Sequence, residues 1–572
     1  MHRTRFRSNR RAVWAVMPVV AAALLATPSA SAHGTSGQEG SSQFLDLGQR
    51  PGTFLSPGPA PRGPISEVPH ELTPGCSLDG RDDKCEAWVS EPYDAAGLRD
   101  GPGNGGWAGR TMVTSSDGDM IFLVGHIEVG EPTEGTCDCD VVTIAYDADS
   151  GDRVWTATFP GTESHPWATP ESLVLSSDGS TLFTLAVAAS VDLESCVGGV
   201  TAYDAATGAE RWRSLLADPG SDCTWPIAIE TGPVTTPDGE TNEQVYVAAN
   251  STQTSGTRRA LLVVLDAGTG NTRFTASDPD ATRRSATTLA VSPGGGTVYV
   301  GGHEGEHDGI TVFSAMAFRS ATGELLWSVH DPVTAEFNAH LGAWGIALSP
   351  DGSQMFLTGG DGISRPVPVG SGVETGLVIQ AYDTSTGTPL WRQRHAPPGP
   401  LDDGLSHWMS NETVAVSPDG NRVLVTACQG YVGLSLGWTV VAFDSDTGQQ
   451  AWAVNDRPPG PPLIHCGGFS PTLTMSPEGD VVFVSGPMGG SSEAQAVTAG
   501  YEVADGDPVW TARWSPGGTG TALPTSIVMD PDGSRVYVAS AARLSQQVET
   551  PGDSWDIVVM AYETAPSVAA SP

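Results

Sequence analysis
The chain is 572 residues long and carries 66 acidic against 28 basic side chains, a formal net charge of −38. A surface of that sign repels phosphate backbones and anionic lipid headgroups, which argues against nucleic acid or a charged membrane as partner. Lys84 is the only lysine, so Schiff-base chemistry has a single candidate residue.

From the N-terminus, "MHRTRFRSNRR" is basic without an acid, "AVWAVMPVVAAALLA" is an apolar run, and "ASA" at 30–32 offers small residues to a peptidase. Residues 1–32 are therefore read as a cleaved secretion signal, and the product as secreted and extracellular. The apolar run falls short of the ~20 residues that span a bilayer and is interrupted by Pro18 and Pro28, so no membrane insertion is expected. Arg10 and Arg11 leave both the general and the twin-arginine export routes open. Loss of the signal removes five arginines and no acid, which makes the mature chain more acidic still. Residues 33–75 are rich in Gly, Ser and Pro with little to bury, and read as a disordered leader. The folded region is placed at 76–565, and 566–572 is a short tail.

Within that region one turn recurs: "SSDG" ending at Gly118 and Gly179, "TPDG" at Gly239, "SPGG" at Gly295, "SPDG" at Gly352 and Gly420, "SPEG" at Gly479 and "DPDG" at Gly533. Alternating apolar runs flank each turn, the mark of a β-hairpin. A third run follows ("VVTIAYD", "LLVVLD", "TVVAFD"), then a Thr-Gly type turn and a fourth run through Trp155, Trp212, Phe274, Trp327, Trp391, Trp452 or Trp510. Four antiparallel strands per unit predict an all-β fold, a single eight-bladed β-propeller of four-stranded antiparallel blades. The eighth unit stops at "VVMAYETA" without a fourth strand, whereas "KCEAWVSEPYD" around Trp88 precedes the first unit. The N-terminal strand is expected to complete the last blade and close the ring, with the recurring tryptophans packing between blades.

The phrase "AYDxxTGxxxW" is similar to the tryptophan-docking repeat of pyrroloquinoline-quinone-dependent dehydrogenases and their many non-enzymatic relatives. "SPDGxxVYV" resembles the YVTN-type extracellular propellers. The resemblance implies a fold and leaves the chemistry open, because this architecture hosts enzymes and passive binders alike.

Function is therefore sought in what does not repeat. The short turns occupy one rim of the expected propeller, and the loops between second and third strands, with the connections between blades, occupy the other. Six of the eight cysteines map to this loop rim. Their even number in an exported chain argues for disulfides, paired by proximity as Cys76–Cys85, Cys196–Cys223, Cys428–Cys466 and, least securely, Cys137–Cys139. The same rim gathers Trp107, His165, Trp167, Trp225, His340, Trp344, His407, Trp408 and His465. Imidazoles and indoles around a channel mouth suit a planar aromatic ligand or a soft divalent metal, although each can also cap its own blade.

Two readings follow. One is a disulfide-braced module, expected as a monomer, that binds an unidentified small molecule or extracellular protein through this face. It fits the absence of a catalytic triad, a P-loop, an HExxH motif or any other motif with a mechanism. The alternative is a quinoprotein-type oxidoreductase oxidising an alcohol or sugar, for which the resemblance implies pyrroloquinoline quinone (PQQ) and calcium as cofactors. Glu171, Glu336, Asp402, Asp403 and Glu412 all fall in the right region for its carboxylate, and no spacing ranks them.

Overall fold
The computed structural model describes residues 86–91, 93, 99–102 and 111–564, with breaks at 129–138, 163, 191–194, 236–240, 254–256, 282, 306–310, 331–341, 367–370, 396–406, 432–433, 457–470, 489–493, 517–520 and 544–555. The predicted signal, leader and tail lie outside the described residues.

Every described element is a β-strand. The strands form successive antiparallel meanders, lettered by residue span: A (112–159), B (167–216), C (221–276), D (284–330), E (342–395), F (407–456), G (472–514) and H (521–563). Each runs through four strands in sequence order except H, whose outer strand is Glu86–Val89, paired antiparallel with Asp556–Glu563 through Trp88↔Ala561 and Val89↔Met560. Parallel bridges at Cys223↔Cys196 and Glu374↔His407 join B to C and E to F.

The third strands explain the long apolar runs. Residues 258–266 ("RRALLVVLD") are buried on both faces because a neighbouring meander covers each side. Each core cluster spans two meanders: Phe122, Val124 and Trp155 of A pack with Leu182, Tyr203 and Ala205 of B. Another joins Ile121 and Ile144 of A to Tyr537 and Val559 of H.

The repeated tryptophan is the joint. Trp155 Nε1 donates to the Ala205 carbonyl in the next meander's turn at 2.9 Å, and its ring lies against Gly208. Gly208 has φ 71°, and a Cβ there would sit 2.6 Å from the Trp155 ring, so backbone and packing both require glycine. Trp212, Trp327, Trp391, Trp452, Trp510 and Trp88 make the equivalent indole bond across the next boundary. Phe274 stacks on Gly323 without a donor. At that C–D boundary the Asn250 amide bonds Ala286 twice, donating to its carbonyl at 2.9 Å and accepting from its N–H at 2.7 Å.

The Pro-Asp-Gly turns also stack on one another. Gly352 has φ 72°, and a Cβ on it would meet the Pro293 ring of the preceding turn at 3.0 Å. The serine and aspartate close each loop locally: Ser349 Oγ donates to Asp351 at 2.6 Å and accepts the Gln354 N–H at 2.9 Å.

Two β-bulges recur that no sequence period reveals. Outer strands carry an extra residue just before the aromatic, at Val154, Leu326 and Leu390, all exposed. These apolar side chains are the by-product of a bulge that aims the tryptophan and blunts the sheet edge. Inner strands bulge at Glu171, Ile227, Thr287, Trp344, Glu412 and Thr525. The bulge explains why Trp167, Trp225 and Trp344 lie inside first strands rather than in the connections before them.

Candidate binding face
His165 lies in the B connection, half-buried, with Nδ1 3.0 Å from Ser164 Oγ and Nε2 3.1 Å from Ser195 Oγ. Both ring nitrogens are engaged within the protein, so in this arrangement neither is offered to a metal. Trp167 opens the first strand of B opposite Ala189. Trp225, opposite Asn250 in C, sends its indole N–H to Glu171 of B. Trp344 is the bulged residue of E, with its ring 6.1 Å from that of His303. For His407 and Trp408 the backbone alone is described, at the start of strand His407–Val416. Trp107, His340 and His465 lie outside the described residues.

Of the five candidate carboxylates, Glu171 is the one whose side chain is described. It is 6% exposed, and burial pushes its carboxyl well above the ordinary range, with the Trp225 indole partly offsetting that shift. It is therefore a neutral acid wedged between two meanders. Two other bulges carry a hydroxyl in the same place, Thr287 and Thr525, and Thr287 Oγ1 donates to Ala343 O across the D–E boundary. His126 is likewise driven down to about 4 by burial, which keeps it uncharged.

The Cys196–Cys223 disulfide forms as expected, tying the B loop to the strand that begins C. Cys139 and Cys428 are also disulfide-bonded, while Cys76, Cys85, Cys137 and Cys466 lie outside the described residues.

The sequence reading missed a set of clasps on this rim. Asp218, in the B–C connection, accepts from Ser251, Gln253 and Arg259 of the C hairpin. Asp278, in the C–D connection, accepts from Ser328 and from buried Arg284, which also holds Glu304 at 2.8 Å. Farther round, fully buried Tyr501 accepts from Trp438 Nε1 and donates to Asp456 at 2.9 Å. A signal was present: Asp-Pro follows an outer strand in "ADPG", "SDPD" and "HDPV".

A calcium-bound quinone would need several oxygen donors converging on one point. Among the described residues no three His, Cys, Asp or Glu side chains converge to hold a metal ion. Glu336, Asp402 and Asp403 lie outside the described residues.

No curated protein matches the chain. Among solved structures it is similar to quinohemoprotein alcohol dehydrogenase from Comamonas testosteroni, at 14% identity over 83% of this chain and 76% of that one, with a TM-score of 0.46. It is also similar to Sqt1 from Chaetomium thermophilum, crystallised with the N-terminus of ribosomal protein L10, at 12% identity over 82% of this chain and 98% of that one, TM-score 0.46. The WD40 domain of SCAP from fission yeast aligns at 10% identity over 82% of this chain and 99% of that one, TM-score 0.38. A family profile described as outer membrane protein assembly factor BamB matches residues 138–340 and 314–570. With those matches running over most of its length, the chain belongs to this family of PQQ-like β-propellers.

Proposed function
We propose that the chain is a secreted, eight-bladed propeller that binds an extracellular ligand or protein through its loop face, without turnover on the quinone chemistry of some relatives. The ring reading rests on the joints. Each meander's outer aromatic docks on the next meander's turn, and Trp88, completing H, docks on the Ala148 carbonyl of A at 3.0 Å. First strands of successive meanders also adjoin, including those of H and A.

One observation carries the binding reading: turns of the short rim fill one another with Pro, Gly and Trp, whereas the loop rim holds the disulfides, the indoles and neutral Glu171. The loop rim does not repeat one joint from boundary to boundary, so its residues can differ from blade to blade. The test is affinity capture from culture supernatant with oxidised wild-type protein and with a Trp225→Ala/Trp344→Ala variant of unchanged melting temperature. A partner retained by the wild type alone supports the reading, and identical capture by both proteins overturns it. The quinoprotein alternative is addressed by titrating PQQ and calcium while following tryptophan fluorescence. Saturable quenching at one equivalent, followed by dye reduction with a simple alcohol, would replace the binding reading with a dehydrogenase.

A further inference from the structure
The contact between His165 and Ser195 has the geometry of an activated hydroxyl. Ser195 Oγ lies 3.1 Å from Nε2, and Nδ1 of the same ring lies 3.0 Å from Ser164 Oγ. In the tautomer that donates Nδ1–H to Ser164, Nε2 accepts from Ser195, the nucleophile, base and orienter order of hydroxyl catalysis. His165 and Ser195 are partly exposed and Ser164 is exposed, so a small substrate can reach the group.

The surroundings hold both partners still. The Ser195 N–H donates to Ser190 Oγ at 3.1 Å, the Ser190 N–H and Oγ both donate to the Ser195 carbonyl, and the next residue is Cys196, in disulfide with Cys223. The His165 N–H donates to the Thr162 carbonyl at 3.1 Å, and the Thr162 N–H returns the bond to the His165 carbonyl at 2.8 Å. A nucleophile and a base each pinned by their own backbone form a preorganised pair.

We propose that Ser195 and His165 form a catalytic dyad that hydrolyses activated esters of small acids. Ser195 Oγ attacks the ester carbonyl as its proton passes to His165 Nε2. The carbon–oxygen bond to the leaving alcohol then breaks, and that alcohol takes the proton from Nε2. Water, deprotonated by the same nitrogen, cleaves the acyl-serine, and the proton returns to Ser195. Because a serine rather than a carboxylate supports the imidazolium, the substrates are esters with good leaving groups rather than amides. This activity does not rest on the binding reading.

The test uses the oxidised full chain with p-nitrophenyl acetate, and separately with a fluorophosphonate probe followed by peptide mapping. Hydrolysis should fall about 100-fold in Ser195→Ala and in His165→Gln, in line with loss of a general base, and the probe should map to Ser195. Ser164→Asp should raise the rate about tenfold by supplying the missing carboxylate, a gain that a purely structural contact does not produce. Melting temperatures close to that of the wild type identify the variants as folded. A wild type no faster than Ser195→Ala, a probe mapped to another residue, or a Ser164→Asp rate at or below that of the wild type overturns the proposal.

Discussion
The two rims of this protein solve the same problem, holding meander to meander, by different means. On the short-turn rim the solution is generic: a glycine with positive φ under the neighbour's indole or proline, repeated from boundary to boundary. On the loop rim three boundaries are held by three different devices, a disulfide at B–C, a double amide bond at C–D and a tyrosine–aspartate pair at F–G. A generic joint can be copied with the repeat, whereas an individual one has to be invented at each boundary. The face that carries individual joints is the face on which specificity can evolve.

That contrast can be broken first at the generic joint. Trp155→Ala removes a buried indole and its bond to Ala205, and is expected to cost about 3–5 kcal/mol. Denaturant unfolding checks it, and a loss below about 1 kcal/mol would mean that the turns hold the meanders without the ring. Next comes Glu171. An acid whose folded-state pKa is raised keeps its contribution below the ordinary value of 4.5 and loses it as pH climbs toward the folded pKa. Stability measured from pH 5 to 9 should therefore slope downward more steeply in the wild type than in Glu171→Gln, and parallel curves would show that the acid is not buried as a neutral group. The smallest effect belongs to the short turns. Asp351 is held at about 2 by Ser349 and by the Ser353 backbone and hydroxyl, so its contribution is present above 3.8 and lost as pH falls through about 2. Asp351→Asn should flatten acid unfolding between pH 4 and pH 2 by less than ~1 kcal/mol after solvent screening. A larger change would show that the turn carboxylate does more than close its own loop.

Fold and site were unequally legible in the sequence, for a physical reason. Strand order, turn type, the docking role of the tryptophans and the pairing of Trp88 with the last sheet could be read because the same contacts recur and recurrence exposes their period. The bulges could not, since one extra residue per strand leaves the apolar alternation nearly intact. Missing them put Trp167 and Trp225 in connections and left Glu171 level with four other carboxylates. Its burial between two meanders could not be read from spacing, because burial at a boundary depends on the neighbour's residues. The clasp at Asp218 was written in the Asp-Pro pairs, but its partners Ser251, Gln253 and Arg259 come from a hairpin more than thirty residues away. His165 was placed on this face from its spacing, but its contacts with Ser164 and with Ser195 thirty residues on could not be read from the sequence.

Phe274 shows how such a chain tolerates loss. Its boundary alone among those described lacks the indole bond, and there Asn250 bonds Ala286 through both ends of its amide. A boundary therefore need not keep the indole bond, because the shared apolar core and a link at the opposite rim still join the two meanders.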